Sequence, residues 1–301
     1  MAGAAALLYG CSRSRPRALA DPPATPLRET GPPPAGATQL LEWRFGDGGE
    51  RDERAILVVP AWGPRQSPLV VALHGRGEAV KPPYEGAMGW PRDYKLVSAM
   101  GRLCTPPITA EDLEGFVDEG RLAALNRELL ARPFQGLVVA CPSVPDLDLE
   151  SEQALDAYGA FLTGQLLPRA RAEAAVYDSA AATGIDGVSL GGAVALHVGL
   201  AHPELFAAVG AIQPALHERD VSAWTDRARE ARHRNPALKL RLLTSLDDPY
   251  RRIIERTSDA WRSGGVDHEL VVLPGPHDYA FNRGPGSFEL LSWHDRVLAR
   301  G

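Results

Sequence analysis

The chain has 301 residues, 45 % of them hydrophobic, and a net charge of −6 from 32 Lys and Arg against 38 Asp and Glu. That length holds one large domain or two small ones, and the mixed, slightly acidic charge argues against a nucleic-acid partner, which would show as a basic patch. No run reaches the apolar length of a membrane-spanning helix. Cysteines stand at 11, 104 and 141, too few for a disulfide scaffold and without metal-type spacing. Cys104 and Cys141 suit buried small apolar positions; a single disulfide between them is the alternative in an oxidising compartment.

Residues 1–37 do not read as part of a fold. Ala2 to Gly10 is an apolar run the size of a signal-peptide core, and it ends in Leu8-Tyr9-Gly10-Cys11. This resembles the bacterial lipoprotein cleavage box, in which the cysteine is lipidated and becomes the new N-terminus. Ser12 to Ala37, rich in Pro, Arg and Ala, reads as a disordered tether. The expectation is a membrane tether through Cys11 and a place in the bacterial cell envelope; an untargeted N-terminus and a cytoplasmic location are the alternative.

The fold is expected from Thr38 to the C-terminus. Thr38 to Phe45 and Arg54 to Pro60 flank Gly46-Asp47-Gly48-Gly49 and read as a hairpin. Leu69 to Leu73 is continuously apolar, as a strand buried on both faces must be. It runs into His74-Gly75-Arg76-Gly77-Glu78. Further strands are expected at Leu137 to Ala140, Ala182 to Val188, Ala207 to Ile212, Leu238 to Leu243 and Glu269 to Leu273. Helical patterns fall at Glu152 to Ala170, Gly191 to Ala201, Asp220 to His233 and Arg251 to Ser263. Such alternation predicts an α/β fold, a mostly parallel sheet with helices on both faces.

One connection, from Glu78 to Pro133, is far longer than a crossover needs. It holds a Pro, Gly and aromatic section, Pro82 to Tyr94, and helical patterns at Leu96 to Leu103 and Ala110 to Leu130. Thr109 with Glu111 and Asp112 suits a helix start. Residues 79–135, following the strand that ends at His74-Gly75, are expected as a cap over the carboxyl edge of the sheet, where ligands bind in open α/β folds. Tyr84, Trp90 and Tyr94 either line a pocket there or pack within the cap.

Gly187-Val188-Ser189-Leu190-Gly191 reads G-x-S-x-G between a strand and a helix-compatible run, the pattern of a nucleophile elbow. Gly187 and Gly191 are required because a Cβ there would crowd the turned backbone. A serine hydroxyl is weak until a base takes its proton. His277, after the last expected strand, is the candidate base. Asp248 or its neighbour Asp247, after Leu238 to Leu243, is the candidate acid. Pro249 suits the first position of a helix, which would make Asp248 a helix cap and leave Asp247 for the site, so on the residues alone the choice between them stays open. An oxyanion would be held by the amide of Leu190 and by the amide of Arg76, with His74, Gly75 and Gly77 shaping the loop. His197, His202, His217, His233, His268 and His294 read as structural or surface residues. No His or carboxylate grouping has metal spacing, no phosphate-binding glycine motif is present, and no cofactor is expected.

The set HGRGE, GVSLGG, LDDPY and GPHDY resembles the putative-esterase family of the α/β-hydrolase superfamily, which includes S-formylglutathione hydrolases, enterochelin-type siderophore esterases and mycolyltransferases. The resemblance runs from Leu69 to the C-terminus apart from the cap. It implies an α/β-hydrolase fold and an acid in an Asp-x-Tyr setting, here Asp248-Pro249-Tyr250. It also implies a histidine followed by an acidic residue and an aromatic, here His277-Asp278-Tyr279. Leu190 stands where the family commonly has methionine. The expected activity is hydrolysis of a small-molecule carboxylic ester by Ser189, His277 and Asp248. Acyl transfer or peptide cleavage by the same residues, and a tethered binding protein that kept the fold, are the other readings.

Overall fold

The computed structural model describes residues 36–46 and 53–300. Cys11 and the tether up to residue 35, and residues 47–52 between the first two strands, lie outside the described residues. Eight strands make one sheet in the order β1-β2-β4-β3-β5-β6-β7-β8. They are β1 (Thr38–Phe45), β2 (Glu53–Pro60), β3 (Leu69–Leu73), β4 (Val138–Pro142), β5 (Thr183–Gly187), β6 (Ala208–Ile212), β7 (Lys239–Ser245) and β8 (Glu269–Leu273). The β1/β2 and β2/β4 pairs are antiparallel and all others parallel. The five innermost residues of β3 are all fully buried, as expected of LVVAL between two helical layers.

The helices in chain order are α1 (Arg76–Ala79), α2 (Pro83–Ala87), α3 (Leu96–Leu103), α4 (Glu119–Ala131), α5 (Glu152–Phe161), α6 (Leu167–Glu173), α7 (Leu190–Ala201), α8 (Val221–Arg234), α9 (Arg251–Ser263), α10 (Tyr279–Phe281) and α11 (Ser287–Val297). The two-residue period of the strands sends alternate side chains into two cores. Val71, Leu73, Ile185, Val209 and Leu242 meet α5 to α9. Val70, Ala72, Val139, Ile212 and Leu243 meet α3, α4 and α11.

The insertion departs from the expected cap. Most of its apolar side chains, among them Trp90, Leu96, Met100, Leu125 and Leu129, pack into the second core against the strands and α11. It supplies a helical layer on a sheet face, because the amphipathic α3 and α4 have apolar surface to bury and the open face of β2, β4 and β3 offers it. Trp90 and Tyr94 are buried within this layer, while Tyr84 stays exposed. The helix expected from Ala110 is also corrected. Thr109 and Asp112 do bond each other at a turn. Glu114 and Gly115 then take positive φ and end it, and α4 starts afresh where Asp118 accepts from the Arg121 amide at 2.8 Å. Cys104 and Cys141 are both free thiols, and burial raises both thiol pKa values, to about 11 for Cys104.

Candidate active site

β5 ends at the turn that carries Ser189. The serine has φ 56° and ψ −115°, a left-handed conformation that a residue with a Cβ adopts only when its surroundings enforce it. The enforcement is visible in the backbone. Ser189 N–H donates to Ile212 O at 2.9 Å, and Ser189 O accepts from Ala193 and Ala215 N–H, each at 3.1 Å. A Cβ at Gly191 would stand 2.3 Å from Leu73 O and 2.4 Å from His74 O, and one at Gly187 would stand 2.4 Å from Gly191 O. α7 therefore packs against β3 and β5 at a distance that only glycine permits. Ser189 itself is partly exposed, and the N-terminal end of α7 lies at its amide.

His277 and Asp248 meet. His277 Nδ1 lies 2.9 Å from Asp248 Oδ1. An ionised carboxylate only accepts, so Nδ1 carries the proton and Nε2 is left bare. The Asp248 side chain is fully buried and is held on both oxygens. Thr244 Oγ1 donates to Oδ2 at 2.7 Å, and Tyr250 N–H donates to Oδ1 at 2.9 Å. Asp247 points to solvent. Pro249 does not open a helix: α9 begins at Arg251, and Asp248 closes a turn onto the Tyr250 amide. The ring of Tyr250 stands 5.5 Å from the His277 ring, centroid to centroid.

The loop after β3 flanks the serine. An ideal Cβ on Gly75 would lie 3.7 Å from Ser189 Cβ. Among the described residues, neither Leu190 N–H nor Arg76 N–H donates to a protein acceptor. His74 is buried behind this loop. Val144 N–H donates to its Nε2 at 2.9 Å, which puts the ring proton on Nδ1, 3.0 Å from Gly75 O. Burial, the largest influence, lowers its pKa to about 4, so the ring is neutral. The Arg76 side chain turns outward to Asp146 at 2.9 Å.

Two residues at the site carry no sequence signal. Gln213, just past β6, is buried with φ 45°. Its Nε2 donates to Ser245 Oγ at 2.7 Å and to Pro276 O at 2.8 Å, joining the strand end beside Ser189 to the residue before His277. Glu78, buried at the end of the oxyanion-loop motif, binds Tyr94 and Tyr279. His217 and His233 are exposed, and three other histidines are structural. His197 bridges Asp156 and Arg227 at 2.8 Å each, His268 bonds Ser258, and fully buried His294 bonds Asp186 at 3.1 Å.

Sheet order, an elbow after β5 and an acid–histidine pair after β7 and β8 define an α/β-hydrolase fold. Residues 143–263 match the family model described as putative esterase. Over that segment, which carries Ser189 and Asp248, the chain is similar to the putative-esterase family. No curated protein matches the sequence. Solved structures agree in fold. The S-formylglutathione hydrolase of Staphylococcus aureus superposes with TM-score 0.61 at 12% identity, covering 87% of this chain and 98% of that one. A feruloyl esterase module from Clostridium thermocellum, complexed with sinapinate, gives TM-score 0.63 at 13% identity over 89% of this chain and 92% of that one. The enterobactin esterase of Shigella flexneri gives TM-score 0.52 at 16% identity, with 85% of this chain covering 60% of that one.

Proposed function

We propose that the protein hydrolyses small-molecule carboxylic esters through an acyl-enzyme on Ser189. The observation that carries this reading is the His277–Asp248 pair, with Nε2 bare, on the loop that Gln213 ties to the strand end beside the strained elbow. Ser189 Oγ attacks the ester carbonyl as His277 Nε2 takes its proton. The new C–O bond pushes the carbonyl electrons onto oxygen, where the Leu190 and Arg76 amides and the positive end of α7 stabilise the charge. Asp248 stabilises the imidazolium. Collapse breaks the bond to the alcohol oxygen, which leaves with the proton from His277. Water, deprotonated by the same nitrogen, then releases the acid and restores Ser189.

A fluorophosphonate probe tests the nucleophile. Wild type is expected to label, and Ser189→Ala to lose labelling and roughly four or more powers of ten in activity; labelling that survives the substitution overturns the reading. A panel of p-nitrophenyl esters of rising acyl length, thioesters and aryl esters then assigns the acyl group. We also propose, from the apolar run ending at Cys11, that this cysteine is lipidated and tethers the enzyme in a bacterial envelope. Mass spectrometry of the N-terminal peptide tests it, and an unmodified full-length N-terminus in the cytosol overturns it.

A further inference from the structure

A buried carboxylate outside the triad joins three segments of the site. Glu78 is 1% exposed. Its side chain accepts from the hydroxyl of Tyr94, in the insertion, and from the hydroxyl of Tyr279, two residues beyond His277. Lys81 Nζ stands 3.5 Å from it and 3.1 Å from Asp93. Tyr94 Oη in turn accepts from the Gly75 amide at 3.3 Å. The path from Gly75 N–H through Tyr94 to Glu78 and on to Tyr279 therefore spans the oxyanion loop, the insertion and the histidine loop.

Several observations separate this from an ordinary buried ion pair. A carboxylate taken out of water must be supplied with donors, and here the donors come from two segments distant in sequence, which also meet where Arg283 Nε donates to Asp93 O and Ser287 Oγ to Tyr94 O. Burial first, then the Glu78 charge, holds the Tyr94 phenol well above its usual pKa. Burial and the bond to Glu78 raise that of Tyr279. Both hydroxyls thus stay protonated and donate across the neutral range. The packing leaves no slack: a Cβ at Gly89 would stand 2.8 Å from Glu78 Cγ, and one at Gly77 would stand 2.9 Å from Tyr279 Oη. A network satisfied on every side fixes one geometry, and one that loses a member does not.

We propose that Glu78 is a positioning residue for the oxyanion hole, fixing the His74–Gly75 peptide, one residue ahead of the Arg76 amide, against the His277 loop through Tyr94 and Tyr279. The proposal rests on the acyl-enzyme reading above. Glu78 touches neither ester nor serine; it acts through the backbone that presents the Arg76 amide. An oxyanion donor matters only where charge develops, so loosening it lowers kcat and leaves ground-state binding alone.

The test compares Tyr279→Phe, Tyr94→Phe and Glu78→Gln with wild type in ester kinetics, in melting temperature, and in inhibition by a trifluoromethyl ketone, which forms a tetrahedral oxyanion on the serine. Tyr279 is partly exposed, so its variant folds even if the buried substitutions do not. The expected result is a kcat lowered about 10- to 100-fold, somewhat less than deletion of a whole donor. KM should stay within about threefold, and the ketone Ki should rise by the same factor as kcat falls. Folded Tyr279→Phe and Tyr94→Phe with wild-type kcat and Ki overturn the proposal. So does a loss of activity that follows the folded fraction while Ki is unchanged, since that is a merely structural role. Ser189→Ala separates the two levels. If it is inactive and unlabelled while the tyrosine variants are wild-type, only the positioning role falls; if it stays active, the acyl-enzyme reading falls as well.

Discussion

The elbow and the oxyanion loop leave adjacent parallel strands, β5 and β3, and are held by opposite means. The elbow is held by backbone. Carbonyls of Leu73, His74 and Gly187 crowd the positions of Gly191, Gly187 and Gly192, and Ser189 takes its strained φ because main-chain bonds to Ile212, Ala193 and Ala215 leave it no other. The oxyanion loop is held by side chains: the neutral ring of His74 between Gly75 O and Val144 N–H, and Glu78 between two tyrosines. Steric constraint of the first kind is written in neighbouring residues. Polar constraint of the second kind is divided among segments far apart in the chain, and it responds to pH as the first does not.

The loop of His277 joins the two, and the acid that bonds His277 gives the largest expected effect after Ser189→Ala. In the proposed mechanism Asp248→Asn removes the charge that stabilises the imidazolium, and it is expected to lower kcat by about 10⁴. Its amide can still accept from the Tyr250 amide and donate to Thr244 Oγ1, so the melting temperature should move little. Kinetics beside a thermal melt check both halves; a kcat within tenfold of wild type would remove Asp248 from the triad.

Breaking the backbone-held region comes next. Gly191→Ala drives a methyl to within 2.3 Å of Leu73 O, and the expected loss is about 3 kcal/mol, a melting temperature lower by roughly 10 °C. Differential scanning fluorimetry of the purified variant measures it. An unshifted melt would mean that α7 can withdraw from β3, contrary to the contrast drawn above.

The side-chain-held region should instead fail in acid. Folding lowers the His74 pKa from 6.5 to about 4, so between those values the unfolded chain binds the extra proton. Stability from this residue is complete above about pH 6.5 and is lost as pH falls toward 4, about 3 kcal/mol in all. Burial lowers His294 as well, and its contribution has the same sign. Melting temperature followed from pH 7 to pH 4 should fall, and His74→Gln should flatten part of that slope. A slope identical in the variant would remove His74 as its source.

The smallest effect is expected at the neighbour of the acid. Asp247 is exposed and its amide bonds Gly275 O, a contact that Asp247→Asn keeps. Activity should stay within about twofold of wild type, as surface substitutions usually do. If instead this variant loses activity and Asp248→Asn keeps it, the two carboxylates have exchanged roles.

The chain by itself determined the parts whose physics is local. Short apolar runs rich in β-branched residues, such as LVVAL, suit strands covered on both sides, and their order with the intervening helical patterns determined an α/β sheet. The elbow was legible because its steric demands fall on glycines two residues from the serine. Tertiary structure decided what depends on partners elsewhere. It turned most of the insertion onto the sheet face, where the apolar surface of α3 and α4 is buried, and set Tyr94 and Phe116 against the loops at the strand ends. It formed α11, which has no clear apolar stripe because its buried face carries Glu289, His294 and Asp295, partnered by Arg121, Arg241, Asp186 and Arg300. It separated Asp248 from Asp247, which adjacent positions in one loop cannot do, by burying one beside Thr244 and His277 and turning the other to water. It also gave Glu78 and Gln213 their places, since a lone Glu or Gln in a sequence does not show which hydroxyl or carbonyl elsewhere in the chain will satisfy it.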